Sequence, residues 1–353
     1  MNDLLGLDEL NRRVLERGLC AACGACVSRC PYLVKFRGKT VKLDSCTVEQ
    51  GRCYAYCPMT FFDENAVSQS LFGEPYDANG LGRVIAVAAA RSSFGEIQSV
   101  AQGGGAVTSL VITALEEGIA DAAVLTTSEG TDGYLKGIVV TDKDEVKRAA
   151  GSKFVGAHSL EALREALDRG YQRIAIVGLP CQVKALRKMA LLDLKQENLA
   201  NRISMVIGLF CNWALSIRDL LPFLSERIGP GKIKKYDIPP PPAKILKVFT
   251  EEETIDIPLD DIRSITQESC KLCDDMTSEF ADISVGMYEG KVGWNTLLTR
   301  TDAGRTLVRL AAEKGSLELS PFPEENLAHL RSASLQKKER ARAAVSLDID
   351  SVP

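Results

Sequence analysis

Seven cysteines fall within the thirty-nine residues from Cys20 to Pro58, and their spacing limits what the chain can fold around. Cys20, Cys23, Cys26 and Cys30 stand at CxxCxxCxxxCP. Cys46, Cys53 and Cys57 follow at CxxxxxxCxxxCP, and Pro31 and Pro58 close the two runs. Two-residue gaps let successive thiolates converge on one cubane from a single tight loop, whereas a fourth Cys before a Pro serves the other cluster in two-cluster ferredoxins. The crossed pattern predicts one 4Fe-4S cluster on Cys20, Cys23, Cys26 and Cys57 and a second on Cys30, Cys46 and Cys53. The second set is one thiolate short. Where a regular repeat carries its middle Cys the chain reads Thr47 to Arg52, so Glu49, Gln50, a distant residue or water completes the set, with a three-iron cluster as the alternative. A zinc knuckle stops at CxxC pairs, and buried or disulfide-bonded cysteines do not explain two CxxxCP endings.

Composition narrows the class. A length of 353 residues suggests two domains, and 45% hydrophobic with 25% charged residues describes an ordinary soluble chain. Forty-three basic against forty-seven acidic residues, with no basic run interleaved with aromatics, argue against a nucleic-acid partner. Met1 to Gly18 holds no apolar core of signal length, and no later segment reaches ~18 uninterrupted apolar residues, so neither export nor a membrane span is expected. Clustered cysteines without export point to a reducing cytoplasm.

Along the chain, Asp8 to Arg17 reads as a short amphipathic helix and Val34 to Leu43 as a hairpin turning at Arg37-Gly38-Lys39. The polar stretch from Asp63 to Gly82 reads as a linker. Residues 1–82 are therefore expected to form an α+β ferredoxin-like iron-sulfur domain with its linker, and residues 83–353 the main domain. From Val84, apolar runs (Val84 to Ala90, Ala120 to Thr126, Gly137 to Val140, Arg173 to Val177, Met205 to Phe210, Ala281 to Val285) alternate with helical patterns. The helices fall near Val107 to Leu115, Asp144 to Ala150, Leu160 to Leu167, Gln182 to Met189, Leu215 to Arg227 and Gly304 to Lys314. Such alternation predicts an α/β fold with a covered, largely parallel or mixed sheet. Lys232 to Val248, with Pro239 to Pro242, reads as a stiff connector. The tail around Gln336-Lys337-Lys338-Glu339-Arg340 reads as a solvated helix or a contact between subunits.

Four cysteines remain. Cys181 sits where the strand ending at Val177 passes into a helix, and Cys211 ends the run Met205 to Phe210. Ligands of open α/β sheets gather at that carboxyl edge, where helix N-termini favour anions. With Cys270 and Cys273 of a CxxC pair they make four thiols, the number a further 4Fe-4S cluster needs. No Ser/His/Asp set is evident, and His158 reads as a surface or satisfied packing residue.

Together, CxxCxxCxxxCP, the GRCYxxCP run from Gly51 to Pro58, Gln102-Gly103-Gly104-Gly105-Ala106-Val107-Thr108, Gly151-Ser152-Lys153-Phe154, Gly178-Leu179-Pro180-Cys181-Gln182, Phe210-Cys211 and Cys270-Lys271-Leu272-Cys273 resemble the coenzyme F420 hydrogenase/dehydrogenase beta-subunit family. The resemblance covers nearly the whole chain and departs at Gly103, where the family pattern has Ser. It implies FAD bound by Gln102, Gly103, Gly104, Gly105, Ala106, Val107 and Thr108, with Ser152 and Lys153 as further contacts and the Cys181, Cys211, Cys270 and Cys273 cluster beside the flavin. The implied activity is hydride exchange with coenzyme F420 or a similar soluble carrier. Electrons then pass along the clusters to a hydrogenase, formate dehydrogenase or heterodisulfide-reductase-like subunit. The alternatives are a non-catalytic iron-sulfur adaptor without flavin and a flavin reductase using NAD(P)H, although no separate GxGxxG fingerprint follows a strand.

Overall fold

The computed structural model describes residues 5–27, 30–128, 134–228, 233–239 and 243–349. Its strands are β1 (Leu33–Phe36), β2 (Lys39–Lys42), β3 (Ala86–Ser92), β4 (Ala122–Thr127), β5 (Lys136–Val140), β6 (Ile174–Gly178) and β7 (Ile203–Leu209), then β8 (Lys235–Asp237), β9 (Ile245–Phe249), β10 (Thr254–Pro258), β11 (Ile283–Met287), β12 (Asn295–Thr299) and β13 (Leu317–Ser320). Eight of them form one sheet in the order β13-β3-β12-β11-β7-β6-β4-β5. The centre, β4-β6-β7-β11, is parallel. Antiparallel strands flank it, β5 on one side and β12, β3 and β13 on the other, so the sheet is mixed.

The central strands are apolar along their length because both faces are covered. In β6, Ile174 and Ile176 enter a core with Leu163, Val183 and Leu186, while Ala175 enters a second core with Leu110, Met205 and Leu307. Helices Glu161–Asp168 and Pro180–Leu192 cover the first face; Ala106–Glu116 and Asp302–Glu313 cover the second. Asn295, at the start of β12, pairs with Met287 at the end of β11 and with Ala90 near the end of β3. The turns leaving β3, β6, β7 and β11 therefore open on one edge, the carboxyl edge of the parallel strands.

The cysteine-rich segment docks on the first face. Its hairpin is β1 paired with β2. Lys35 reaches Glu161 at 2.9 Å, Leu160 N donates to the Cys23 carbonyl at 3.0 Å, and Tyr56 and Val67 enter the same core as Leu163.

Four segments differ from the sequence expectation. Asp8 to Arg17 is not one α-helix: Leu7–Leu10 is α-helical and Asn11–Leu15 is a π-turn. Asp63 to Gly82 is not a plain linker, since Glu64–Phe72 is a helix capped by Asp63 Oδ1, which accepts from Ala66 N at 2.9 Å, and ended by Gly73 at φ +72°. Its apolar Val67, Leu71 and Phe72 recur at helical spacing, a signal submerged in polar residues. Within Lys232 to Val248, β8 and β9 join β10 in a three-stranded antiparallel sheet that packs with helix Ile217–Ser225. Of the proline run only Pro239 lies among the described residues.

The tail departs furthest from expectation. It is a helix, Glu324–Ile349, but Ser334, Lys337, Lys338 and Ala341 are buried, at 0, 3, 4 and 2% exposure. These positions recur at i, i+3, i+4 and i+7, the spacing of a packed stripe, and two of them are lysines whose aliphatic stems bury while their ammonium groups find oxygen partners. Charge alone made this face look solvated. No helix among the described residues is long and apolar enough to cross a membrane.

Candidate functional site

The N-terminal thiols separate into two groups. Cys26 lies in the field of Cys23, Cys20, Cys57 and Cys53, and Cys23 feels Cys57 and Cys20. Cys53 instead feels Cys30 and Cys46. Cys20, Cys23, Cys26 and Cys57 thus neighbour one another, as do Cys30, Cys46 and Cys53. Burial pushes the Cys57 thiol up to about 12 and Cys53 up to about 11, and raises Cys23 and Cys26 strongly as well. Glu49 and Gln50, the candidates to complete the second group, are exposed.

The other four thiols come from three distant segments. Cys181 is the second residue of helix Pro180–Leu192, whose start is fixed by Pro180 and by Gln182 Oε1, which accepts from Leu179 N at 2.8 Å. Cys211 follows β7 and its N–H donates to the Met276 carbonyl at 2.9 Å. Cys270 lies within a 3-10 turn, Glu268–Leu272, and Cys273 ends it; Ala214 N donates to Cys270 Sγ at 3.3 Å. All four line one cavity of about 60 Å³, together with Lys184, Asp274, Lys337 and Trp213. Burial is the main cause that raises Cys181 and Cys270 and lifts Cys211 to about 12; the neighbouring thiols add to it, and Lys337 works against it at Cys211 and Cys270. Cys181 also feels Cys23, and Ala21 and Pro58 line the same cavity, so the N-terminal group of four is its neighbour.

This donor chemistry suits a multi-iron cluster. Burial disfavours the thiolates of Cys181, Cys211 and Cys270, and a cationic metal would stabilise them. The four thiols line one cavity, and four is the number a 4Fe-4S cluster needs.

Helix Pro180–Leu192 ties the two thiol groups together. Cys181 faces the cavity. One turn on, Lys184 pairs with Asp274, beside Cys273, at 2.5 Å, and a further turn on, Lys188 donates to the Cys57 and Phe61 carbonyls at 2.7 and 2.8 Å. Burial lowers Lys188 to about 8, against the pull of Cys57 and Cys23. Behind the cavity lies a buried polar network that sequence reading missed. Tyr76 Oη donates to Glu279 Oε2 at 2.5 Å, and Lys338 Nζ donates to Tyr76 Oη at 2.9 Å. Lys338 Nζ also lies 2.7 Å from Glu279 Oε1, as an ion pair without hydrogen-bond geometry. Burial, aided by Asp275, raises the Glu279 carboxyl to about 7.

The glycine turn opens on the same edge, beyond β3. Gly105 holds φ +75° and precedes helix Ala106–Glu116, whose first amide, Ala106 N, donates to Asn295 Oδ1 at 3.1 Å. A Cβ at Gly103 would lie 2.6 Å from Asn295 Nδ2, and one at Gly104 would lie 2.7 Å from the Ala90 carbonyl. Packing of the protein on itself therefore accounts for both glycines. Gln102, Ser152 and Lys153 meet beside the turn: Ser152 Oγ donates to Gln102 Oε1 at 2.8 Å, and Gln102 Nε2 donates to the Ile238 carbonyl at 3.2 Å. Lys153 Nζ donates to the Ala150 carbonyl at 3.3 Å, and burial lowers its pKa with no carboxylate opposing. Asp237 Oδ1, also buried, has no hydrogen-bond partner among the described residues. An ammonium with no opposing carboxylate and an orphaned carboxylate oxygen fit a ligand that carries both an anionic group and a donor. Val107 and Thr108 follow in the first turn of that helix. Three strand spacings, about 14 Å, separate β3 from β7 across the edge.

Residues 87–164 match the family model described as coenzyme F420 hydrogenase/dehydrogenase, beta subunit N-term, and residues 171–325 match the companion model for the C terminus of the same beta subunit. The coenzyme F420 hydrogenase subunit beta of Methanothermobacter thermautotrophicus is 32% identical over 271 residues, 75% of this chain and 95% of that protein. The chain belongs to the coenzyme F420 hydrogenase/dehydrogenase beta-subunit family. Among solved structures, a chain of the F420-reducing [NiFe] hydrogenase complex from Methanosarcina barkeri superposes with a TM-score of 0.70 at 27% identity, covering 76% of this chain and 94% of that one. Two relatives match more of this family member's length. The F subunit of the F(420)H(2) dehydrogenase of Methanosarcina mazei is 28% identical over 88% of this chain and 87% of its own. The coenzyme F420-dependent sulfite reductase of Methanocaldococcus jannaschii is 28% identical over 93% of this chain but only 51% of its own length.

Proposed function

We propose that the chain is an oxidoreductase subunit that exchanges hydride with coenzyme F420 and delivers electrons to a partner oxidoreductase, using FAD and three iron-sulfur clusters. The observation that carries this reading is the gathering of Cys181, Cys211, Cys270 and Cys273 around one cavity on the sheet edge that also presents the glycine turn. F420 as the carrier follows the relatives, which bear it in their names.

FAD, when bound, supplies the exchange between a hydride pair and single electrons, and 4Fe-4S clusters supply single-electron storage. The residues would divide the work as follows. Lys153 and the start of helix Ala106–Glu116 receive the anionic part of the flavin, with Gln102, Ser152 and Asp237 offering polar contacts beside it. Cys181, Cys211, Cys270 and Cys273 would hold one cluster in the cavity they line. Cys20, Cys23, Cys26 and Cys57 hold the neighbouring cluster, which Lys188 keeps in place by gripping the Cys57 carbonyl. Cys30, Cys46 and Cys53 would hold the third cluster and pass electrons to the partner.

The test is anaerobic purification of the full chain with iron, flavin and F420-dependent dye reduction measured together. Bound flavin with reduction by F420H2 supports the reading. Iron without flavin, and no reaction with F420H2 or NADH, would make the chain an electron-transfer adaptor.

A further inference from the structure

The four-thiol cavity receives a cation from the C-terminal helix, the element whose charge pattern suggested solvent. Lys337 Nζ donates to the carbonyls of Cys211 at 2.7 Å and Asp275 at 2.9 Å, one on a thiol-bearing residue and the other two residues past Cys273. Two other lysines in the neighbourhood are neutralised locally, Lys184 by Asp274 at 2.5 Å and Lys338 by Glu279 at 2.7 Å. Among the described residues no carboxylate oxygen lies within ion-pair distance of Lys337; the Asp275 carboxylate instead accepts from Glu279 N at 3.0 Å. Lys337 is bonded to neutral oxygens and has no ion pair among the described residues, so its charge acts on Cys273, Cys211 and Cys270 as well as on the Asp275 carboxylate.

We propose that Lys337 is a positioning residue that raises the reduction potential of the iron-sulfur group held by Cys181, Cys211, Cys270 and Cys273. The inference rests on the reading of these four thiols given above. One-electron reduction makes such a group more negative, and a fixed ammonium beside it favours the reduced form. At 3% exposure the charge is poorly screened by water or salt. A neutral donor could bridge the same two carbonyls, so hydrogen bonding alone does not require a lysine. The ammonium supplies in addition a charge carried on a helix that packs from outside the sheet.

The experiment compares the anaerobically purified full chain with its Lys337→Gln, Lys337→Met and Lys337→Arg variants, by iron and sulfide content and by dye-mediated potentiometric titration followed by EPR. In the neutral variants one cluster is expected to show a reduced-to-oxidised ratio about tenfold lower at a fixed potential, a fall of about 59 mV in a one-electron midpoint. The remaining signals and the iron content should not change, and Lys337→Arg should stay near the parent chain. An unchanged midpoint in iron-replete neutral variants would overturn the proposal alone. So would an equal shift in Lys337→Arg, or loss of cluster iron from both neutral variants, which would make Lys337 a structural tie. Absence of this cluster from the parent chain would overturn both the proposal and the functional reading beneath it.

Discussion

At Gly104 one methyl group separates a tolerated turn from a broken one. Its Cβ would meet the Ala90 carbonyl at 2.7 Å and the Arg91 Cα at 2.9 Å, and neither backbone atom can rotate away. Gly104→Ala is expected to cost about 1–3 kcal/mol in urea unfolding. Gly95→Ala, where a Cβ meets nothing within 4 Å at a helix start, should be neutral or stabilising by up to about 1 kcal/mol. Equal costs at the two positions would contradict the packing explanation. His158 supplies a pH signature. It is buried, 3.1 Å from Thr40 Oγ1, and burial, helped by Lys35, lowers its pKa from 6.5 to about 4. Below pH 6.5 the unfolded chain takes up a proton that the folded chain refuses, so stability should fall between pH 6.5 and 4, by about 3 kcal/mol. His158→Gln should flatten that part of the curve. At this scale spacing singles out the cysteines, and the structure sets Cys57 beside Cys23 and Cys26 and Cys30 beside Cys53. Lys337, Lys338 and Glu279 were not legible, because a buried charge looks like any surface charge until its partner, here Tyr76 or the Cys211 carbonyl, is brought in from far along the chain.

At the scale of elements, the C-terminal helix and helix Pro180–Leu192 clamp the thiol groups from different directions. Lys338→Met would leave Glu279, at 1% exposure, without its cation, and is expected to cost about 3–5 kcal/mol. Adding Glu279→Gln should recover part of that loss. Strict additivity in the double-mutant cycle would show that the pair is not coupled. The strands and helices on the sheet were legible where apolar periodicity was strong, as in Ile174 to Val177 and Val107 to Leu115. The connecting pieces were not. Helix Glu64–Phe72 hides three apolar residues among polar ones, β8 to β10 sit beside a proline run, and the antiparallel β12 and β13 carry no repeat that distinguishes them from loop.

For the whole molecule, the sheet edge gathers the glycine turn and one thiol group, and docking of the first eighty residues sets a second thiol group against that one. The parallel centre was inferable from strand and helix alternation. Its antiparallel flanks, which carry β3 and its turn to the carboxyl edge, depend on tertiary pairing and were not. With Cys30, Cys46 and Cys53 set apart from the other thiols, Cys46→Ser is expected to alter one cluster signal and spare two, whereas Cys181→Ser should remove about four iron atoms and uncouple carrier oxidation from dye reduction. The most direct test is the iron and flavin content of the anaerobically purified chain beside its Cys211→Ser variant. The expected result is about twelve iron per parent chain with one flavin, and a variant that loses about four iron but keeps the flavin. A parent chain without flavin, or a Cys211→Ser variant with undiminished iron, would contradict it.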